Sequence, residues 1–177
     1  MIQSPYLVMS NSAIKLFKKA IKRGVKVRIN TNSLASTDNI QAFSGYRNQR
    51  DILTKMGVEI FEYKPDPQVK QHLLRQAMAA NEKPPVFAIH AKTMVVDGET
   101  VYIGTFNFDP RSQNLNTEVG VIVRDTALAS QVQNAIETDM HPENSWNAAE
   151  DKPDQFASSA KRKRVVFYQL TPIKPLL

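Results

Sequence analysis

His90, Lys92 and Asp97 stand in the run His90-Ala-Lys92-Thr-Met-Val-Val-Asp97, with Gly104-Thr105-Phe106-Asn107 a short way downstream. An imidazole can attack phosphorus, or give and take a proton beside it. An ammonium and a side-chain amide can meanwhile hold the phosphate oxygens. The set occurs once in the 177 residues.

Each member has a part that its chemistry allows. Lys92 brings a positive charge to the phosphate. Gly104 lets backbone come close to an anion. Thr105 offers a hydroxyl, and Asn107 an amide N–H, to a non-bridging oxygen. Glu118 opens the next predicted strand and can orient His90 through an imidazole N–H. Asp97 falls in a predicted turn, where it serves to fix a hairpin or pair with a cation rather than to move a proton. The plain structural alternative is a core histidine beside a lysine whose stem lies on apolar surface. The fixed offsets of Gly104, Asn107 and Glu118 weigh against it.

Apolar spacing indicates what must position these groups. Residues 86–96 read as a strand, whose period of two puts His90 and Lys92 on one face. Asp97-Gly98 is a tight-turn signal, and residues 100–103 pair back as a hairpin. Gly104 to Asn107 then fall at a strand end, where open α/β sheets bind ligands.

Upstream, residues 6–9 read as a short buried strand. A helix over 13–21 follows, capped near Ser10 and ended by Gly24, with apolar residues at 13, 14, 17, 20 and 21. A strand over 25–29, a helix over about 42–56 and a strand over 58–61 complete a strand–helix alternation. That order implies parallel pairing with right-handed crossovers. Pro65 and Pro67 open an excursion over 64–85 that holds a helix at 69–80. Downstream, residues 116–123 form a strand, and Asp125-Thr126 caps a helix over 127–140. Past Pro142 the chain reads as a polar loop to residue 160, and Lys161-Arg-Lys-Arg164 leads into an edge strand at 165–168.

Composition narrows the function classes. Hydrophobic residues make up 42% and charged residues 23%, and the length suits one domain with a real core. No apolar run reaches membrane-spanning length, and the N-terminus lacks the basic-then-apolar layout of a secretory signal. The absence of cysteine excludes disulfides, thiolate metal sites and a cysteine nucleophile. A net charge of +6 favours an anionic partner, whether nucleic acid or a bilayer face.

His90-x-Lys92-x4-Asp97 with Gly104-Thr-x-Asn107 resembles the HKD signature of the phospholipase D superfamily. The longer string from Gly104 to Ser112, with Leu115-Asn-Thr-Glu118, is most similar to the C-terminal half of bacterial cardiolipin synthases. Ser4-Pro-Tyr-Leu7 resembles the strand opening that half, and Pro172-Ile-Lys-Pro-Leu-Leu177 its end. The resemblance implies an α/β/α sandwich around a mixed, largely parallel sheet, one half of the usual two-half enzyme. Residues 1–141 would be the catalytic half-domain and 142–177 a loop and edge-strand extension of it.

In that family each half gives one motif. One histidine becomes a phosphohistidine and the other protonates the leaving alcohol, without metal or cofactor. Carried over, His90 is the acid/base histidine, Lys92 and Asn107 bind phosphate with support from Gly104 and Thr105, and Glu118 orients His90. Threonine at 105 replaces the commoner serine and keeps the hydroxyl. No first motif is present. His72 and His141 lack a lysine two residues on and read as surface or helix residues.

Three functional readings follow. The first is a cardiolipin-synthase-like phosphatidyltransferase half, peripheral at an anionic bacterial inner membrane and dependent on a first-half partner. The second is a single-motif phosphodiesterase acting on nucleic acid as a symmetric homodimer. The third is a truncated half that folds and cannot turn over. The Lys161–Arg164 run reads as a solvated flank that could touch anionic lipid.

Overall fold

Alternating side chains build the sheet: Val27, Ile29, Val58 and Ile60 face one layer while Arg28 and Phe61 face the other. The computed structural model describes residues 1–80 and 82–170. Its strands are β1 (Ile2–Gln3), β2 (Val27–Asn32), β3 (Val58–Tyr63), β4 (Thr93–Val96), β5 (Thr100–Gly104), β6 (Gly120–Arg124) and β7 (Ser145–Asn147). They form one sheet in the order β6-β5-β4-β1-β2-β3-β7. The sheet is mixed, as an α/β fold of this kind requires. Its parallel part is confined to β1, β2 and β3, and the other pairings are antiparallel, so the sheet is less parallel than expected. The tight turn between β4 and β5 can only reverse the chain, so that pair is antiparallel of necessity.

The helices are α1 (Asn11–Lys22), α2 (Ile40–Lys55), α3 (Gln71–Ala79), α4 (Pro110–Asn114), α5 (Thr126–Met140) and α6 (Ser159–Leu170). Side chains of Ser10, Asn39 and Asp125 cap α1, α2 and α5 by accepting from backbone N–H groups three residues on. One core lies under α1, α2 and α6, with Ile29, Phe43, Leu53, Ile60 and Val165 buried in it. The other lies under α5, around Val95, Val101, Ile136 and Met140. Burial of each large aliphatic side chain contributes about 1.5–3 kcal/mol, so two layers of helix on one sheet are a stable way to hide both faces.

Several expectations need correction. The first strand is Ile2–Gln3; residues 6–9 are largely buried and lie outside the sheet, with an isolated bridge between Leu7 and Phe108. Strand β4 begins at Thr93, so residues 86–92, His90 and Lys92 included, precede it. Strand β6 likewise begins at Gly120, after Glu118. The segment after Pro142 is not all loop: β7 pairs with β3, and Trp146 stacks on Phe156 with ring centroids 4.6 Å apart.

Residues 165–168 form part of helix α6 rather than an edge strand. Local β-propensity gives way there to packing. Val165 is buried in the core beneath α2, Lys161 Nζ donates to the carbonyls of Ala35 and Thr37, and Gln169 Nε2 donates to Asn48 Oδ1. The stretch from Pro172 to Leu177 lies outside the described residues.

Candidate active site

The hairpin β4–β5 carries the site at its open end. Asp97 and Gly98 turn it with φ of 52° and 68°, left-handed backbone that suits a tight hairpin and is easiest for glycine. Asp97 therefore sits at the opposite end of β4 from His90, in the turn role expected of it. At the open end Gly104 N donates to Lys92 O at 3.1 Å, which ties the end of β5 to the His90–Lys92 segment.

His90 is exposed, and Lys92 reaches back to it. Lys92 Nζ donates to His90 O at 2.8 Å and lies 3.3 Å and 3.4 Å from the two ring nitrogens. The two side chains share a face although no strand holds them there. Burial pulls the Lys92 ammonium below the usual lysine range, against the opposing pull of Glu118, Asp38 and Asp109.

A second group of residues gathers around the turn after β5. Thr105 Oγ1 donates to Glu118 and accepts from Val119 N at 3.0 Å. Asn116 Nδ2 donates to the other Glu118 oxygen at 3.2 Å. Thr105 foremost, then Asn116 and the nearby Lys92, hold the Glu118 carboxyl below the ordinary carboxylate range against the opposing effect of burial. Glu118 is thus engaged by Thr105 and Asn116, and the imidazole of His90 meets Lys92 instead. No Glu118–His90 hydrogen bond forms among the described residues, and the two groups share only the charge of nearby Lys92, which favours the ionised Glu118.

Asn107 differs from the simple picture of a side chain aimed at solvent. Its backbone N–H donates to Ser112 Oγ at 3.2 Å, and its buried Oδ1 has no hydrogen-bond partner. Ser112 also helps hold the Glu118 carboxyl low and is fixed by the Asp109 cap of α4, whose carboxylate accepts from Ser112 N at 2.7 Å. Ser112 thus anchors Asn107 on the side of the site that holds Glu118, and sequence reasoning did not single it out. The Asp109-Pro-Arg-Ser112 cap pattern was its available signal.

Gly104 is needed for packing. A Cβ there would stand 2.6 Å from Val119 O and 2.7 Å from Tyr102 Cζ, because the Tyr102 ring lies over the end of β5. The space is taken by Tyr102 rather than kept for an anion. His72 lies in α3, and His141 follows α5 with Nδ1 3.7 Å from Glu143. Neither joins the His90–Lys92 pair. Among the described residues no group of three His, Asp or Glu side chains is placed to hold a metal ion.

A cavity of about 380 Å³ opens beside Lys92 and Glu118, walled by Met94, Tyr102, Phe106 and Phe108. Lys92, whose ammonium lies 3.3 Å from the His90 imidazole, thus borders a largely apolar recess. The model of the cardiolipin synthase phospholipase D-like domain matches residues 1–140. The chain belongs to this phospholipase D-like family.

Within the family, cardiolipin synthase C of Escherichia coli K12 is 38% identical over 131 residues, covering 74% of this chain and 27% of the relative. An uncharacterised protein of Helicobacter pylori is 31% identical over 149 residues, covering 82% of this chain and 27% of its own. The chain thus spans about a quarter of the length of these relatives. Phosphatidylserine synthase of Haemophilus influenzae shares the fold over 99% of this chain and 41% of its own, with a TM-score of 0.65 and 14% identity. Nuc of Salmonella typhimurium, a phospholipase D family member, does so over 82% of this chain and 80% of its own, at 0.57 and 19%.

Proposed function

We propose that this chain is a catalytic half of a cardiolipin-synthase-like phosphatidyltransferase, with His90 as its acid/base histidine. The observation that carries the lipid reading is the aromatic and apolar recess directly beside Lys92. A phosphodiester joining diacylglycerol to a headgroup alcohol can place phosphorus at His90 and part of its apolar substituent in that recess.

The reaction needs two histidines. In the first step a histidine of the partner half forms an N–P bond, the P–O bond to the leaving alcohol breaks, and His90 gives that oxygen its proton. In the second step neutral His90 takes the proton of the acceptor alcohol, whose oxygen attacks phosphorus as the N–P bond breaks. Lys92 and the amide of Asn107 stabilise the charge that builds on the non-bridging oxygens. Thr105, Ser112 and Glu118 keep that side of the site fixed.

The second half would dock on β6. This edge strand adjoins the site, and its Val121 and Ile122, with Val119 just before it, are 58–73% exposed, an apolar stretch uncommon on a finished surface. No helix among the described residues is long and apolar enough to cross a membrane. Contact with an anionic bilayer would be peripheral; α6 sets Arg162, Lys163 and Arg164 beside exposed Phe167 and Leu170.

The alternative is a single-motif phosphodiesterase that dimerises on β6 and cuts nucleic acid. It is favoured by the +6 charge and by a match that covers 80% of the whole Nuc chain. The two readings separate on substrate. Transfer of a phosphatidyl group to an alcohol, measured by lipid mass spectrometry, supports the first. Cleavage of DNA without such transfer overturns it in favour of the second.

A further inference from the structure

His90 belongs to a segment without strand partners of its own, yet its backbone is held firmly from one side. Asn32, the last residue of β2, is 1% exposed. Its Oδ1 accepts from Ile89 N at 2.7 Å and its Nδ2 donates to Ile89 O at 3.0 Å. A single side-chain amide thus satisfies both backbone groups of the residue before His90, as a neighbouring strand would. Ile89 is itself buried, and Phe87 N donates to Pro65 O at 2.9 Å one step earlier. Past His90, the carbonyl is taken by Lys92 Nζ. The His90 backbone is pinned between these two contacts.

Burying a primary amide for this purpose is expensive unless every bond is made. An apolar residue would fill the same space in β2 and leave the N–H and C=O of Ile89 unpaired. The sheet gains nothing from this amide that ordinary strand pairing would not give. What the amide provides is a fixed anchor for a chain that leaves the sheet just before the reacting imidazole.

We infer that Asn32 is a positioning residue for His90, acting through the Ile89 backbone. This rests on the reading of His90 as the acid/base group. Displacing a catalytic group by about 1 Å can cost on the order of 100-fold in rate. Asn32→Asp keeps the size and the acceptor but turns the donor facing Ile89 O into a second acceptor, so it should break half of the clamp.

Two readouts test this. In the isolated chain, hydrogen exchange at the Ile89 amide should quicken at least ten-fold in Asn32→Leu, which fills the same space without the acceptor, while amides within β2 and β3 keep their protection. Unchanged exchange at Ile89 overturns the clamp. In the active assembly, kcat of Asn32→Asp for an alcohol leaving group should fall on the order of 100-fold with KM little changed. The burst of p-nitrophenol from a p-nitrophenyl phosphodiester should fall far less, because that leaving group needs no proton. Equal loss on both substrates overturns the positioning role and leaves a structural one. Should either variant fail to fold, Asn32→Ser offers the same two comparisons with a smaller side chain. Full activity in His90→Ala would contradict the reading of His90 itself, whatever Asn32 does.

Discussion

Lys92 Nζ lies 3.3 Å from Nε2 of His90 and donates at 2.8 Å to the backbone oxygen of the same histidine. The ammonium is therefore placed by the residue it serves. A phosphate oxygen arriving at this charge brings phosphorus within reach of the imidazole. Lys92→Ala should lower turnover by about 100-fold or more while leaving the fold intact, measured by steady-state kinetics and circular dichroism. Wild-type kinetics in that variant would exclude Lys92 as a phosphate ligand.

The Lys92 charge is also lost at lower pH than in an ordinary lysine, because burial outweighs the three carboxylates around it. Phosphate affinity should weaken on the alkaline side as Lys92 loses its proton. Lys92→Arg, whose guanidinium stays charged, should carry affinity to higher pH even if its shape costs some rate. A pH profile of KM for both proteins decides this, and identical alkaline limbs would refute it.

Thr105 ties Glu118 to the backbone of Val119 and is the leading reason that Glu118 ionises more readily than usual. Thr105→Val should raise the Glu118 titration midpoint, observable by carbon NMR of the carboxyl. It should also cost stability by about 1 kcal/mol, as one lost hydrogen bond does. Thr105→Ser should restore both. A Glu118 midpoint that does not move in Thr105→Val would show that the carboxylate is set by other partners.

Stability should depend on pH through a group far from the site. Glu62 is fully buried between Tyr46, whose hydroxyl donates to it at 2.8 Å, and Arg50. Burial pushes its carboxyl up to about 7, even though Arg50 and Tyr46 favour the ionised form. The folded chain then holds this proton more tightly than the unfolded chain. The resulting stability is fully present below about pH 4.5 and is lost as the pH rises toward 7. Glu62→Gln should flatten that part of the denaturation profile, and a slope unchanged by the substitution would contradict it.

The exposed edge makes a separate claim on assembly. Ile122→Glu on β6 should leave the monomer folded and abolish association with a second half, read by sedimentation. Undiminished association would move the interface elsewhere.

Much of this was legible from local signals. Asp97-Gly98 gave the hairpin, and Ser10 and Asp125 gave helix starts, because turns and caps are decided by neighbouring residues. The family motif placed His90 and Lys92 together, and they do meet. What escaped was long-range. Val165 to Tyr168 look like a strand until Val165 packs beneath α2. Asn32 reads as an ordinary strand end, since its partner Ile89 lies 57 residues away. Ser112 was hidden in the same manner: its role follows from a short helix that folds it back onto Asn107. Glu118 faced the right site but took Thr105 rather than His90, a choice made by the turn after β5.

The most direct test of the account mixes this chain with a separately produced first half of a cardiolipin synthase and measures phosphatidyl transfer by mass spectrometry. Transfer that appears only in the mixture, and disappears with His90→Ala, is the predicted result. Transfer that persists at the wild-type rate with His90→Ala would contradict the assignment of His90 and the half-site built around it.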